Sequence, residues 1–304
     1  MRLPASIQVV ERGWLSANNV VLHAPAEAVV IDSGYGAHVP QTLALIERAL
    51  AGKKLARLVN THCHSDHMGG NAAIQRKYEC RTSIPQGEAP LIDNWDEQQL
   101  ILSIADQRAE RFRYDDTFRD GDMLEMGGYP WQVIAAPGHD PNAVMFHSPE
   151  ARVLISGDAL WENGFGVVFP QLFGRDTALA ETRATLEAVG RLEIETVIPG
   201  HGRPFDNVAA ALERAFYRLE GYEEDITRLA RHCAKVMLSF AMMEKRSMPL
   251  AGLPAYVVRV PILAELNSRY LRMTPGAMAE WLASELERAG AVRRENGLLV
   301  AKGN

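Results

Sequence analysis

The sequence predicts an α/β fold with a mostly helical C-terminal part, on three observations. Short β-rich runs recur through the first 207 residues, and many end in a small residue followed by His or Asp. Helical patterns lie between those runs. Beyond Pro204 the texture changes and helices dominate. The division expected is one domain over 1–207 and a second over 208–304.

The elements follow in chain order. Val20 to His23 and Ala28 to Ile31 are β-rich runs around Ala24-Pro25-Ala26-Glu27, a hairpin that ends at Asp32. Pro40 to Leu50 has Pro at its start and apolar residues at Leu43, Ile46 and Leu50, which predicts a helix. Ala56 to Asn60 is a buried strand that delivers Thr61 and a histidine block. Gly69-Gly70-Asn71 opens a helix through Tyr78. Ala89 to Arg113 reads as helical and amphipathic. Gly121-Asp122 and Gly127-Gly128 are turns. Trp131 to Ala136, Ala143 to Phe146, Val153 to Ser156 and Thr196 to Ile198 are strands, and Asp176 to Leu192 is a helix. In the tail, Ala209 to His232 reads as one long helix. Pro275 to Ala289 has an apolar face, and a strand, a turn at Glu295-Asn296-Gly297 and a second strand follow. Helix then hairpin is the outline of a winged helix.

Bulk properties bound the function. A chain of 304 residues with 47% apolar and 23% charged residues builds a sizeable core. The net charge of −6 implies no general attraction to nucleic acid or anionic lipid. From Arg218 onward there are 13 basic and 10 acidic residues, so the tail carries +3 and the preceding part −9. Cys63, Cys80 and Cys233 are too few and too far apart for a disulfide framework. No secretory signal and no membrane-length apolar run is visible, so a cytoplasmic location is expected.

Chemistry concentrates in eight residues: Asp32, then His62, His64, Asp66 and His67, then His139, Asp158 and His201. All are oxygen or imidazole donors, which suit a zinc-like divalent ion. His62 and His64, two apart, would share one face of an extended strand, while Asp66 and His67 follow at a turn. One segment can thus feed two adjacent metal positions. The same alternation turns Cys63 away as a packed thiol. His147 is expected at the surface or in a structural role. His23, His38 and His232 lack a surrounding motif and are taken as ordinary residues.

Together Asp32, H-C-H-S-D-H (62–67), P-G-H (137–139), S-G-D (156–158) and P-G-H-G (199–202) resemble the metallo-β-lactamase superfamily over residues 7 to 207. The resemblance implies an αββα sandwich and a two-metal site. In it His62, His64 and His139 would hold one ion, Asp66, His67 and His201 the other, and Asp158 would bridge them. Asp32 would orient the histidine block by hydrogen bonds. Two zinc ions are expected, with iron or manganese as alternatives. Such ions acidify water and polarise a carbonyl or phosphoryl oxygen. Asp158 and Asp66 are the expected catalytic carboxylates, Asp66 assisting proton transfer.

Within the superfamily the block resembles glyoxalase II-like thioesterases. Those enzymes usually supply basic residues after Asp158 for glutathione, but Ala159 to Phe169 is apolar with one acid. Trp161, Phe165 and Phe169 would line a hydrophobic pocket for an acyl chain or aromatic ester. The expectation is a metal-dependent hydrolase of a thioester or ester-type small molecule. The tail is similar to that of the lactamase-like protein 2 group of endoribonucleases, with Arg293 and Arg294 opening a wing. An endoribonuclease or phosphodiesterase is therefore an alternative, as are an iron-dependent persulfide dioxygenase and a non-enzymatic metal-bound regulator. The partners expected are a small-molecule substrate and no membrane. The C-terminal domain leaves nucleic acid and a homodimer as further readings.

Overall fold

Two mixed β-sheets face each other in the computed structural model, which describes residues 3–302. The first contains, in spatial order, β1 (Ile7–Val10), β2 (Asn19–His23), β3 (Glu27–Ile31), β4 (Lys54–Val59), β5 (Arg81–Pro85) and β6 (Asp116–Phe118). β1 to β3 pair antiparallel and β3 to β6 parallel. The second contains β7 (Met123–Met126), β8 (Tyr129–Ala135), β9 (Val144–Ser148), β10 (Val153–Gly157) and β11 (Thr196–Pro199), with the β10–β11 pair parallel. Parallel pairs need crossovers. These carry α1 (Val39–Leu50), α2 (Ser65–Met68), α3 (Asn71–Tyr78), α4 (Ala89–Asn94), α5 (Phe169–Leu172) and α6 (Ala178–Gly190).

Strand alternation decides the layers. Val20 and Leu22 of β2, Val29 and Ile31 of β3, Val144 and Phe146 of β9, and Val153 and Ile155 of β10 fill the core between the sheets. The intervening Val21, Ala28 and Val30 meet Ile46, Ala49 and Leu50 of α1 on the outer face. Met145, Leu154 and Val197 face α6 on the other side. The order is helix, sheet, sheet, helix, as expected.

The C-terminal part comprises α7 (Val208–Glu224), α8 (Ile226–Lys245), β12 (Ser247–Pro249), α9 (Leu253–Arg259), α10 (Pro261–Leu266), α11 (Pro275–Arg288), β13 (Val292–Glu295) and β14 (Leu298–Ala301). The last three strands form a small antiparallel sheet, β12-β14-β13. Its core does not stop at residue 207. Leu154 and Val197 of the sandwich share one buried cluster with Leu219, Leu229 and Leu282 of the helices. Among the described residues no helix is long and apolar enough to cross a membrane.

Several local expectations are corrected. The predicted helix over 89–113 ends at Asn94, because Trp95, Ile101 and Asp106 adopt positive φ (51°, 55° and 57°). Leu100, Leu102 and Phe112 beyond it join Ile92 of α4 in covering Cys63 and Met68. The long helix over 209–232 is two helices. Asp225 breaks it with extended geometry and caps α8 by accepting from the Thr227 amide. His62 and His64 lie not on a strand but in the loop between β4 and α2. The strands β1, β5, β6 and β12 were not anticipated; they are three to five residues long, too short to show alternation.

Candidate metal centre

The ligand-type side chains sit where strands end. β3 stops at Asp32, whose φ of 58° turns the chain sharply. β4 leads to Thr61 and the histidine block, β8 to His139, β10 to Asp158 and β11 to His201. Backbone bonds lock the ends together: Val144 N donates to Thr61 O (3.0 Å) and Gly200 N to Gly157 O (2.7 Å). The small residue before a ligand has a steric cause. A Cβ on Gly200 would lie 2.3 Å from Asp158 Oδ1, and one on Gly138 would lie 2.3 Å from Thr182 Oγ1.

Two groups of donors result. His62 Nε2 lies 3.1 Å from His64 Nδ1, which lies 2.8 Å from His139 Nε2. Asp66, His67 and His201 form the second group, with His201 Nε2 3.0 Å from Asp66 Oδ2. Asp158 stands between them. Its Oδ2 is 3.5 Å from His139 Nε2, while its Oδ1 is 3.4 Å from His67 Nε2 and 3.9 Å from His201 Nε2.

The hydrogen bonds behind the rings decide where the ring protons are. Thr61 Oγ1 donates to Asp32 Oδ2 (2.8 Å), so its lone pair receives His62 Nδ1–H (3.1 Å). His67 Nδ1–H donates to Asp32 Oδ2 (2.8 Å) and His139 Nδ1–H to Val167 O (2.6 Å). In their neutral forms His62, His67 and His139 therefore aim bare Nε2 lone pairs inward. His67 Nε2 is buried without a hydrogen-bond partner. Buried acceptors facing one another are costly unless a cation lies among them. The residues thus fit divalent ions, and the cluster is able to bind them.

Electrostatics agree. Burial, then His67, pushes the His62 pKa well below the ordinary imidazole value. Burial and His139 push His64 down to about 4. Both rings are neutral at neutral pH. Burial opposes ionisation of Asp158, but His201 and His67 outweigh it and hold the acid well below the carboxylate range. Asp66 is lowered against its burial by His67 and His201. His67 is raised against its burial by Asp32, Asp158 and Asp66, so an arriving cation displaces its proton.

The site opens into a cavity of about 550 Å³. Trp161 and Phe169 line it; Trp161 Nε1 donates to Asp158 Oδ1 (3.2 Å), and Phe169 packs on His64 and His139. Phe165 does not line it. It is buried against Tyr222 in the helical core, because its neighbour Gly166 takes the place beside His139 and no Cβ fits there. Cys63 is buried as expected. His147 is structural rather than superficial, buried with Nε2 3.2 Å from Glu193 O.

Other residues at the site escaped sequence reading. Trp14 is half exposed and stacks on His201, with ring centroids 5.4 Å apart and planes 5° apart. As a lone aromatic in a loop it carried no signal. His232 lines the cavity, so it is not an ordinary histidine. Asp140 Oδ2 faces His64 Nε2 at 3.5 Å and neighbours buried Glu88, whose pKa burial and Asp140 raise well above the carboxylate range. The sequence P-G-H-D marked Asp140 only as the residue after a ligand. Arg293 and Arg294 of the hairpin are paired with Glu295 (2.8 Å) and Glu280 (2.7 Å).

Known proteins resemble this arrangement. Residues 12–201 match the family model described as Metallo-beta-lactamase superfamily. A hydroxyacylglutathione hydrolase of Hyphomonas neptunium is 32% identical over 115 residues, covering 38% of each chain. The match thus spans well under half of that enzyme. The Acyl-coenzyme A thioesterase MBLAC2 of Homo sapiens is 27% identical over 269 residues, 80% of this chain and 90% of that one. A metallo-beta-lactamase family protein from Thermus thermophilus superposes with a TM-score of 0.58 at 19% identity, covering 98% of this chain and 99% of its own, a likeness of fold.

Proposed function

The chain belongs to the metallo-beta-lactamase superfamily, and we propose that it is a metal-dependent hydrolase of acyl thioesters. The observation that carries this is Asp158, whose two oxygens face two separate groups of histidines at the mouth of a mainly apolar cavity. The relative matched over both the sandwich and the tail is named as an acyl-thioester hydrolase, which supports the substrate class.

His62, His64 and His139 would hold one divalent ion and Asp66, His67 and His201 a second, with Asp158 shared. Nitrogen and oxygen donors of this kind favour zinc; iron and manganese share the preference in part. Bound ions supply Lewis acidity toward a carbonyl oxygen and acidify water. Asp66 is ionised and partly exposed to the cavity, so its carboxylate accepts the proton released as water attacks. Asp32 keeps His62 and His67 in the tautomers that face inward. Trp161 and Phe169 exclude bulk water. A thiol has a pKa near 8.5, so a thiolate leaves without a strong acid.

The paired arginines of the hairpin offer no free basic stripe for RNA. A hydrolysis screen of metal-loaded protein against acyl-CoA thioesters, glutathione thioesters, lactones, β-lactams and RNA tests the proposal, with Asp158→Ala as control. Turnover of thioesters that the control lacks is expected. Turnover confined to RNA or β-lactams overturns the reading.

A further inference from the structure

The cavity that opens on Asp158 and His201 continues past them. It runs along α8 into the seam between the sandwich and the small C-terminal sheet, where Ile101, Met237, Phe240, Met243, Val292 and Ala301 bound it. Two of these belong to the hairpin, so part of the wall comes from the C-terminal unit.

A thioester has two arms, and the two ends of the cavity differ. The outer end carries Trp14, half exposed, and Arg203, whose side chain is 85% exposed. That end is wet, and Arg203 there pairs with Glu11 at 3.6 Å. The seam is lined mainly by apolar side chains, several of them methionines, which are unbranched and adjust to the shape of what they enclose. The imidazole bordering it, His232, is kept neutral by burial and by Arg218, its pKa lowered to about 4. Arg218 and Lys302 also border the cavity, but over the apolar wall an alkyl chain gains with every methylene removed from water. A volume of about 550 Å³ lies within the range of cavities that enclose a whole ligand.

We infer that the seam receives the acyl chain of the substrate, and that α8 together with the β13–β14 hairpin sets the chain length accepted. The anionic thiol arm then lies outward, near Arg203 and Trp14. This rests on the thioester reading above. It gives the C-terminal unit a direct part in specificity.

The experiment compares acetyl-, octanoyl- and palmitoyl-CoA with the metal-loaded protein, the wild type beside Met243→Trp and Met237→Ala. In the wild type kcat/KM rises by up to about fourfold per added methylene that enters the seam. Met243→Trp shortens the chamber and lowers the palmitoyl-to-acetyl ratio of kcat/KM at least about tenfold. Met237→Ala enlarges it and moves the optimum toward the longer chain. Displacement of a dansyl fatty acid by unlabelled fatty acids from metal-free protein reads the same chamber without catalysis. It also rescues the test if one variant does not fold. Hydrolysis that ignores chain length in all three proteins, with no fatty-acid binding, overturns the acyl chamber while sparing the thioester reading. Fatty-acid binding that both substitutions alter, without thioester turnover, supports the chamber and overturns the reading it rests on.

Discussion

The two ends of the cavity are built by opposite means. At the sandwich edge, polar side chains are held by backbone: strand ends, positive-φ turns, glycines with no room for a Cβ, and a buried network joining Ser33, Asn60 and Asn71 to the carbonyl of His67. Along α8, apolar side chains are held by packing alone, and methionines predominate among them. Ligand geometry tolerates errors of a few tenths of an ångström, so it demands a rigid sheet. An alkyl chain asks only for a dry, adaptable wall. One chain supplies both, rigid where bonds change and soft where surface is buried.

The contrast can be broken by substitutions. Asp158→Ala removes the carboxylate shared by both groups. It should lower turnover by roughly a thousandfold and reduce the metal content read by elemental analysis. A variant retaining both refutes the shared role. Leu282→Ala opens a cavity in the core common to the sandwich and the helices. It should cost about 2–5 kcal/mol in chemical denaturation while unfolding remains one transition. Two separate transitions would show that the halves fold independently. Asp32→Ala leaves every inward donor in place but frees the rings of His62 and His67. It should weaken metal affinity by about 10- to 100-fold, measured by competition with a chelator; unchanged affinity would remove Asp32 from its orienting part.

The smallest effect is one of pH and belongs to the soft end. His232 has a folded pKa of about 4 against an ordinary 6.5. The unfolded chain therefore binds its proton more readily, and stability falls as pH drops from 6.5 toward 4. His232→Gln should show a shallower decline of melting temperature over that window. Parallel curves for the two proteins would show that this histidine is not buried in its neutral form.

The rigid end was legible in the sequence and the soft end was not. His139, Asp158 and His201 announce themselves because each follows a short strand and a glycine, and His62, His64, Asp66 and His67 because they crowd into six residues; both are local patterns. The wall of α8 was hidden, since Met237, Phe240 and Met243 recur at helical spacing like any core stripe. Phe165 was misplaced for the same reason: composition marks a residue as apolar without saying which side of the loop it faces. The helix expected over 89–113 failed where three residues take positive φ, a choice made by packing over Cys63 and Met68.

By itself the sequence determined the donor set and the strand-end positions, because these depend on residue type and on periods of two and 3.6 residues; the four-layer class came with the family resemblance that those motifs carry. Only the tertiary structure decided that Asp158 faces both histidine groups, that Trp14 covers His201, and that α8 closes the cavity. Those contacts join residues far apart in the chain, and their partners are selected by the burial of whole surfaces rather than by any neighbour in sequence.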